Sequence, residues 1–388
     1  MRIAQVAPLY EAVPPATYGG TERVIANLCN GLTDLGHDVT LFAVSTSSTK
    51  ARLEPQGEAL RSSMTSQQLV EVAPHLHLRM LAEVRERADE FDVVHCHVDL
   101  WSVPFAQRPA TPWVLTLHGR LDVDPIGRIL PLYPDVPLVS ISESQREPLR
   151  GGALSWAGTV YNGLDLRSYQ RRERRPDGHL AFMGRISPEK GPILAIEVAR
   201  RSGRPLQLAA KVDPMDEEYF QREVRPLLGE EAHLVGEVDE HHKPGFFCSA
   251  AATIFPSDWP EPFGLVLIES MAAGTPVIAL RRGAVPEVIR DGVTGFICDD
   301  VDAMVAAVGR VSEIDPDDCR RQAARFSAEA MCAGYLDIYR KLCGSTSATS
   351  FTTVVPPEGL PAPEVALGGP VRELVRGPDA LTGPGNPG

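Results

Sequence analysis

The 388-residue sequence is poor in several features that would place a protein in a special class. Its 7 cysteines include no Cys-x-x-Cys pair, which excludes that metal or redox motif. An odd, scattered set suits a reducing compartment, where cysteine serves as a small buried hydrophobe. Positive charge is in short supply: 38 Lys and Arg against 51 Asp and Glu leave a formal charge of -13. This balance argues against a general attraction to nucleic acid or to an anionic membrane, and an anionic ligand must rely on local cations and backbone N–H groups. No apolar run reaches transmembrane length, and the run at residues 3–7 is too short for a signal-peptide core. A cytoplasmic protein is expected, without an integral membrane segment but with peripheral membrane contact left open. No Gly-x-Gly-x-x-Gly follows the first apolar run, which argues against an ordinary dinucleotide-dependent dehydrogenase. There is no repeat at solenoid periods.

What is present is ordinary globular composition, 43% hydrophobic and 23% charged, in a chain long enough for two cores. The first half alternates short apolar runs with helical patterns. Residues 3–7 read as a strand, and 21–35 as a helix with Val24, Ile25, Leu28 and Leu32 on one face. Residues 39–43, 93–94, 113–117 and 138–141 read as buried parallel strands. Arg and Glu cluster around Pro176, and then a second alternation begins. Its expected strands are 179–183, 206–210, 233–235, 252–255 and 277–280, with helices at 192–201, 265–273 and 301–311.

This pattern predicts an α/β protein of two doubly wound, Rossmann-like parallel-sheet domains. The expected divisions are 1–165 for the first domain, 166–178 for a linker and 179–327 for the second. A helix at 328–343 carrying Tyr335, Leu336, Ile338 and Tyr339 is expected to cross back and brace the first domain. Residues 344–388 are rich in Pro, Gly, Ser and Thr and read as a disordered tail.

Chemistry concentrates in two segments. Gly184-Arg185-Ile186-Ser187-Pro188-Glu189-Lys190-Gly191 leaves a strand at its C-terminal end, where open α/β sheets bind ligands. The Arg fork and the Lys point charge both suit phosphate oxygens, although a solvated surface turn is the plainer reading of that loop alone. About seventy residues later, Glu261-Pro262-Phe263-Gly264-Leu265 opens a helix whose free N–H groups form a natural phosphate seat. Glu269 then interrupts a buried-looking face, where a carboxylate needs a partner. Two sugar hydroxyls would serve; a satisfied core glutamate is the alternative. Gly19 and Gly20, between the first strand and first helix, permit close backbone approach to phosphate or sugar, or simply make a turn. His118 sits at the C-terminal edge of a strand just before Gly119.

These segments resemble those of glycosyltransferase family 4, retaining enzymes with the GT-B fold. The resemblance rests on Arg185, Lys190, Glu261 and Glu269 and spans roughly residues 1–343. It implies two domains facing a cleft, and transfer of a sugar from a nucleoside diphosphate, UDP by preference, to an acceptor hydroxyl with retained configuration. Arg185 and Lys190 would hold the diphosphate, Glu261 the transferred sugar and Glu269 the ribose. Phe263, Gly264 and Leu265 would complete the donor seat, with His118 near the anomeric centre. No metal or other cofactor is implied beyond the nucleotide-sugar co-substrate. A sugar-nucleotide epimerase and a silent sugar-nucleotide-binding protein share the architecture and are the rival readings.

Three further clusters are discounted as sites. Side chains alternate along a strand, so His95-Cys96-His97 is expected to point apart. Asp122-Val123-Asp124 mimics a metal-binding Asp-x-Asp without its surrounding pattern. His241-His242-Lys243 reads as an exposed helix start.

Overall fold

The computed structural model describes residues 1–16, 19–170 and 178–344. Its strands form two wholly parallel sheets. The first contains β1 (Arg2–Val6), β2 (Asp38–Ala43), β3 (Arg52–Pro55), β4 (Val93–Cys96), β5 (Trp113–Thr116), β6 (Leu138–Ser140) and β7 (Trp156–Thr159). Their order is β3-β2-β1-β4-β5-β6-β7. The second contains β8 (Leu180–Arg185), β9 (Leu206–Lys211), β10 (Ala232–Gly236), β11 (Ala252–Phe255), β12 (Val277–Leu280) and β13 (Gly295–Cys298), ordered β10-β9-β8-β11-β12-β13.

Parallel sheets need both faces covered, and strand alternation divides the first core accordingly. Ile3, Val39, Leu41, Val93 and Val114 face the first helix, Gly20–Asp34, and the last, Ala328–Gly344. Ala4, Phe42, Val94, Cys96 and Leu115 face the opposite way, toward the helix Ala73–Glu86. That helix buries Ala73, His77, Met80, Leu81 and Val84, a 3.6-residue stripe beyond the expectation from sequence. The last helix does pack on the first sheet, through Met331, Tyr335, Ile338 and Tyr339. Where the chain crosses back, a Cβ on Gly163 would stand 2.3 Å from the Ser327 carbonyl oxygen, so only glycine permits the approach.

The strands that escape sequence patterning are all at sheet edges. β3 is only partly buried, while β7 and β13 contain Gly158 and Gly295 and lack a β-branched run. A Cβ at Gly295 would lie 2.0 Å from the Val277 carbonyl oxygen, so this glycine serves close strand pairing. Within the expected linker, Leu166 and Tyr169 are buried and Arg167–Gln170 is a helical turn. Residues 171–177 and the expected tail from 345 onward lie outside the described residues.

In each sheet the chain first grows outward on one side and then restarts on the other, between β1 and β4 and between β8 and β11. Carboxyl ends of strands flanking such a switch point are where α/β sheets take ligands.

Candidate functional site

Strand ends from both sheets open on one cleft of about 710 Å³. Gly19, Gly20 and His118 line it from the first half, and Arg185, Lys190, Glu261, Phe263, Gly264, Leu265 and Glu269 from the second. Sequence reasoning thus named residues that the fold brings together, although it did not name their partners.

The cationic loop continues β8. Lys190 ends a short turn, and Gly191 follows at φ 69° before Pro192 starts the helix Pro192–Ser202. A Cβ on Gly191 would stand 2.5 Å from the Pro256 carbonyl oxygen, so glycine is required where this turn meets the end of β11. The ammonium of Lys190 donates to Glu261 Oε2 and lies 4.9 Å from the centroid of the Trp259 ring. Trp259 Nε1 donates to the same oxygen at 2.8 Å. The Glu261 backbone is held from behind by Ala284 N, which donates to its carbonyl at 3.0 Å. Arg185 donates to Glu189 at 2.8 Å. Gly264, at φ 89°, opens the helix Leu265–Ala272 without any side-chain cap; Leu267 N donates to the Gly264 carbonyl at 3.0 Å, and the Leu265 and Val266 N–H groups stand at the cleft.

Glu269 is 1% exposed and is, in this structure, a satisfied glutamate. Lys243 Nζ donates to its Oε1 at 2.8 Å and Arg23 Nη1 at 3.2 Å. Arg23 comes from the first helix, so this ion pair spans the cleft. Glu240 completes the cluster, 2.6 Å from both Arg23 and Lys243. Burial raises the Glu269 pKa, but the Lys243 and Arg23 charges and the hydrogen bond from Lys243 more than offset it, so the net shift is downward. Lys243 corrects the reading of residues 241–243 as an exposed helix start. His242 is exposed beside Asp239, but Lys243 is 6% exposed and turned inward by Glu269.

A second correction concerns His95 and His97. Alternation sends Cys96 to the opposite core, but residues two apart share a face, and the two rings pack with centroids 4.0 Å apart. They belong to a buried hydrogen-bond chain that begins in the cleft. His118 Nε2 lies 2.8 Å from His97 Nδ1, and His97 Nε2 lies 2.9 Å from Gln5 Oε1. Gln5 Nε2 donates to Tyr339 Oη at 3.1 Å, and that hydroxyl lies 2.7 Å from His95 Nδ1. His95 Nε2 meets Thr116 Oγ1 at 2.7 Å, which meets Tyr335 Oη at 3.0 Å. Burial holds His118 down to about 4, and holds His95 and His97 well below the usual histidine range. All three rings are neutral at physiological pH.

Asp99, missed by sequence reasoning, follows β4 with φ 39°, a left-handed conformation unusual for a residue other than glycine. It lines the cleft with its surface partly open to solvent, and desolvation by the surrounding protein raises its carboxyl from 3.8 to about 6, with the His118 backbone N–H opposing. No cation pairs with it among the described residues. A lone Asp after a strand carries no sequence signal that would have singled it out. Asp122 and Asp124 are each taken by an arginine, Arg120 at 2.7 Å and Arg128 at 3.0 Å. Among the described residues, no group of three or more His, Cys, Asp or Glu side chains is placed to hold a metal ion. No helix among them is long and apolar enough to cross a membrane.

Two family models together cover most of the chain. Residues 18–167 match Glycosyltransferase Family 4, and residues 169–330 match Glycosyl transferases group 1. Glycogen synthase of Mycobacterium tuberculosis is 28% identical over 376 residues, spanning 83% of this chain and 88% of that protein. Phosphatidyl-myo-inositol mannosyltransferase of Mycolicibacterium smegmatis is 28% identical over 343 residues, spanning 81% and 86%. Among solved structures, a glycosyltransferase of avilamycin A biosynthesis superposes with a TM-score of 0.66 at 24% identity, covering 89% of this chain and 98% of that one. HepE of Anabaena in complex with UDP and glucose gives 0.69 at 18%, covering 88% and 100%.

Proposed function

From the premise that this chain belongs to glycosyltransferase family 4 and has the GT-B fold, we propose that it transfers a sugar from a nucleoside diphosphate, UDP first, to an acceptor hydroxyl with retained configuration and without a metal ion. One observation carries the reading: Lys190, Arg185 and the open helix end at Gly264 converge on the cleft beside Glu261. As the glycosidic bond breaks, negative charge grows on the departing diphosphate. Two fixed cations and oriented N–H groups stabilise that charge without reorganising at the moment of reaction. With Lys190 drawn to phosphate, Glu261 is released toward the hydroxyls of the transferred sugar. Glu269 is assigned to the ribose, which must then share it with Lys243 or displace Arg23. Cleft walls from two sheets exclude water that would hydrolyse the donor. Retention fits a same-face route in which the leaving phosphate takes the acceptor proton. Soluble, lipid-linked and polymeric acceptors each fit this scheme.

Binding decides the donor. Titration with UDP, GDP and ADP in the presence of EDTA should give heat and a raised melting temperature for one series. Lys190→Ala should weaken that diphosphate by about 10–100-fold, the range of a charge-assisted hydrogen bond, while affinity for the free nucleoside changes little. Equal weakening of both would remove the loop from the phosphate site. Glu261→Gln should leave diphosphate affinity nearly intact and lower turnover by about a hundredfold. NMR of the product's anomeric coupling tests retention, and a glycosyl adduct trapped on Glu261 would overturn the same-face route.

A further inference from the structure

The buried chain behind His118 has a direction, and its direction is set at one residue. We propose that the side-chain amide of Gln5 determines which ring nitrogen of His118 carries the proton, leaving Nδ1 as a hydrogen-bond acceptor at the cleft. Gln5 is 0% exposed and lies in β1, at the switch point of the first sheet. Its amide offers an acceptor on one side and donors on the other, and each neutral imidazole has one donor and one acceptor. Gln5 Oε1 faces His97 Nε2, so that nitrogen bears hydrogen. His97 Nδ1 is then bare and must accept, which places hydrogen on His118 Nε2. His118 Nδ1 is left with a lone pair. On the other side Gln5 Nε2 donates to the Tyr339 hydroxyl, which donates to His95 Nδ1, and His95 Nε2–H donates to Thr116.

Every link is satisfied in this direction, and a single reversed link would oppose two donors or two acceptors in a buried site. The tautomers are therefore a property of the whole chain, and the amide is its pivot. Reversing the amide would reverse every link and turn His118 Nδ1 into a donor. His118 lines the cleft, and no second partner meets its ring among the described residues. A bare Nδ1 accepts a hydrogen bond from a ligand hydroxyl and disfavours phosphate or carbonyl oxygen. Gln5 is thus a positioning residue, acting through His97. This deepens the sugar-transfer reading by giving the polarity of one contact to the sugar, and it rests on that reading for the identity of the ligand.

The test is nitrogen NMR of the full chain labelled with ¹⁵N-histidine, without ligand, with signals assigned by single histidine substitutions. In the unsubstituted protein His95, His97 and His118 should each show a protonated Nε2 and a bare Nδ1 at pH 7. His118 protonated on Nδ1 would overturn the proposal. In Gln5→Met, close in volume and without the amide, His118 should lose its single-tautomer signature and show averaged shifts. An unmixed Nε2–H signature in that variant would assign control to another group. Because no ligand is present, these spectra decide the tautomer whatever the donor titrations return.

Discussion

At Glu269 and Asp99 the cleft handles two carboxylates in opposite ways. Glu269 is neutralised by Lys243 and Arg23, and its pKa falls despite burial. Asp99 has no such countercharge among the described residues, and its pKa rises to about 6. The folded state then holds its proton more tightly than the unfolded chain between pH 3.8 and about 6. Stability contributed by the protonated form is therefore lost as pH rises through that window. Asp99→Asn should raise stability by about 1 kcal/mol at pH 8, a figure reduced for the solvent that the open cleft admits. At pH 4 the gain should vanish, and equal gains at both pH values in urea melts would refute this account. Lys190, Arg185, Glu261 and Glu269 were legible in the sequence because each sits in a local strand–turn–helix unit. Asp99 was not, because its environment is assembled from distant segments.

Among the elements, the last helix has the least local role. It covers one face of the first sheet, and Tyr335 and Tyr339 both reach His95 of β4, within the chain of His95, His97 and His118. Tyr339→Phe would leave Gln5 Nε2 and His95 Nδ1 buried without their shared hydroxyl. A loss of about 1–3 kcal/mol in chemical unfolding is expected, with no change in the donor half of the cleft. An unchanged midpoint would mean that the hydroxyl contributes nothing net. The same histidines predict acid sensitivity. Their folded pKa values lie below the unfolded value of 6.5, so the unfolded chain binds more protons as pH falls. Stability should be level above about pH 7 and decline from there toward pH 4. His95→Asn should flatten part of that slope in unfolding series at pH 7.5 and 5. Helix and central-strand positions followed from apolar periodicity, whereas β3, β7 and β13 did not. β3 is only partly buried, and the short β7 and β13 carry glycine in place of a β-branched run, so these edges carry little pattern.

On the scale of the whole molecule, polar contacts join the walls of the cleft. Arg23 reaches Glu269 and Glu240, and Ser142 Oγ donates to the Pro262 carbonyl at 2.6 Å. Glu287 accepts from the Glu143 and Ser144 backbone N–H groups, each at 2.8 Å, and from the Tyr161 hydroxyl at 2.9 Å. Removing two of these ties in Arg23→Ala/Glu287→Ala should enlarge the radius of gyration in X-ray scattering without lowering helix content. An unchanged radius would mean that apolar packing alone holds the two halves. Sequence by itself determined two α/β sheets, the loops at their strand ends, the returning last helix and the family. Those features follow from periodicity and from residues close together in the chain. Only the tertiary structure decided which groups answer each buried charge or ring. Arg23 and Glu269 are 246 residues apart, and Gln5 and Tyr339 are 334 apart. A buried polar group must find a partner, but its identity depends on which distant strand or helix the packed core brings within about 3 Å.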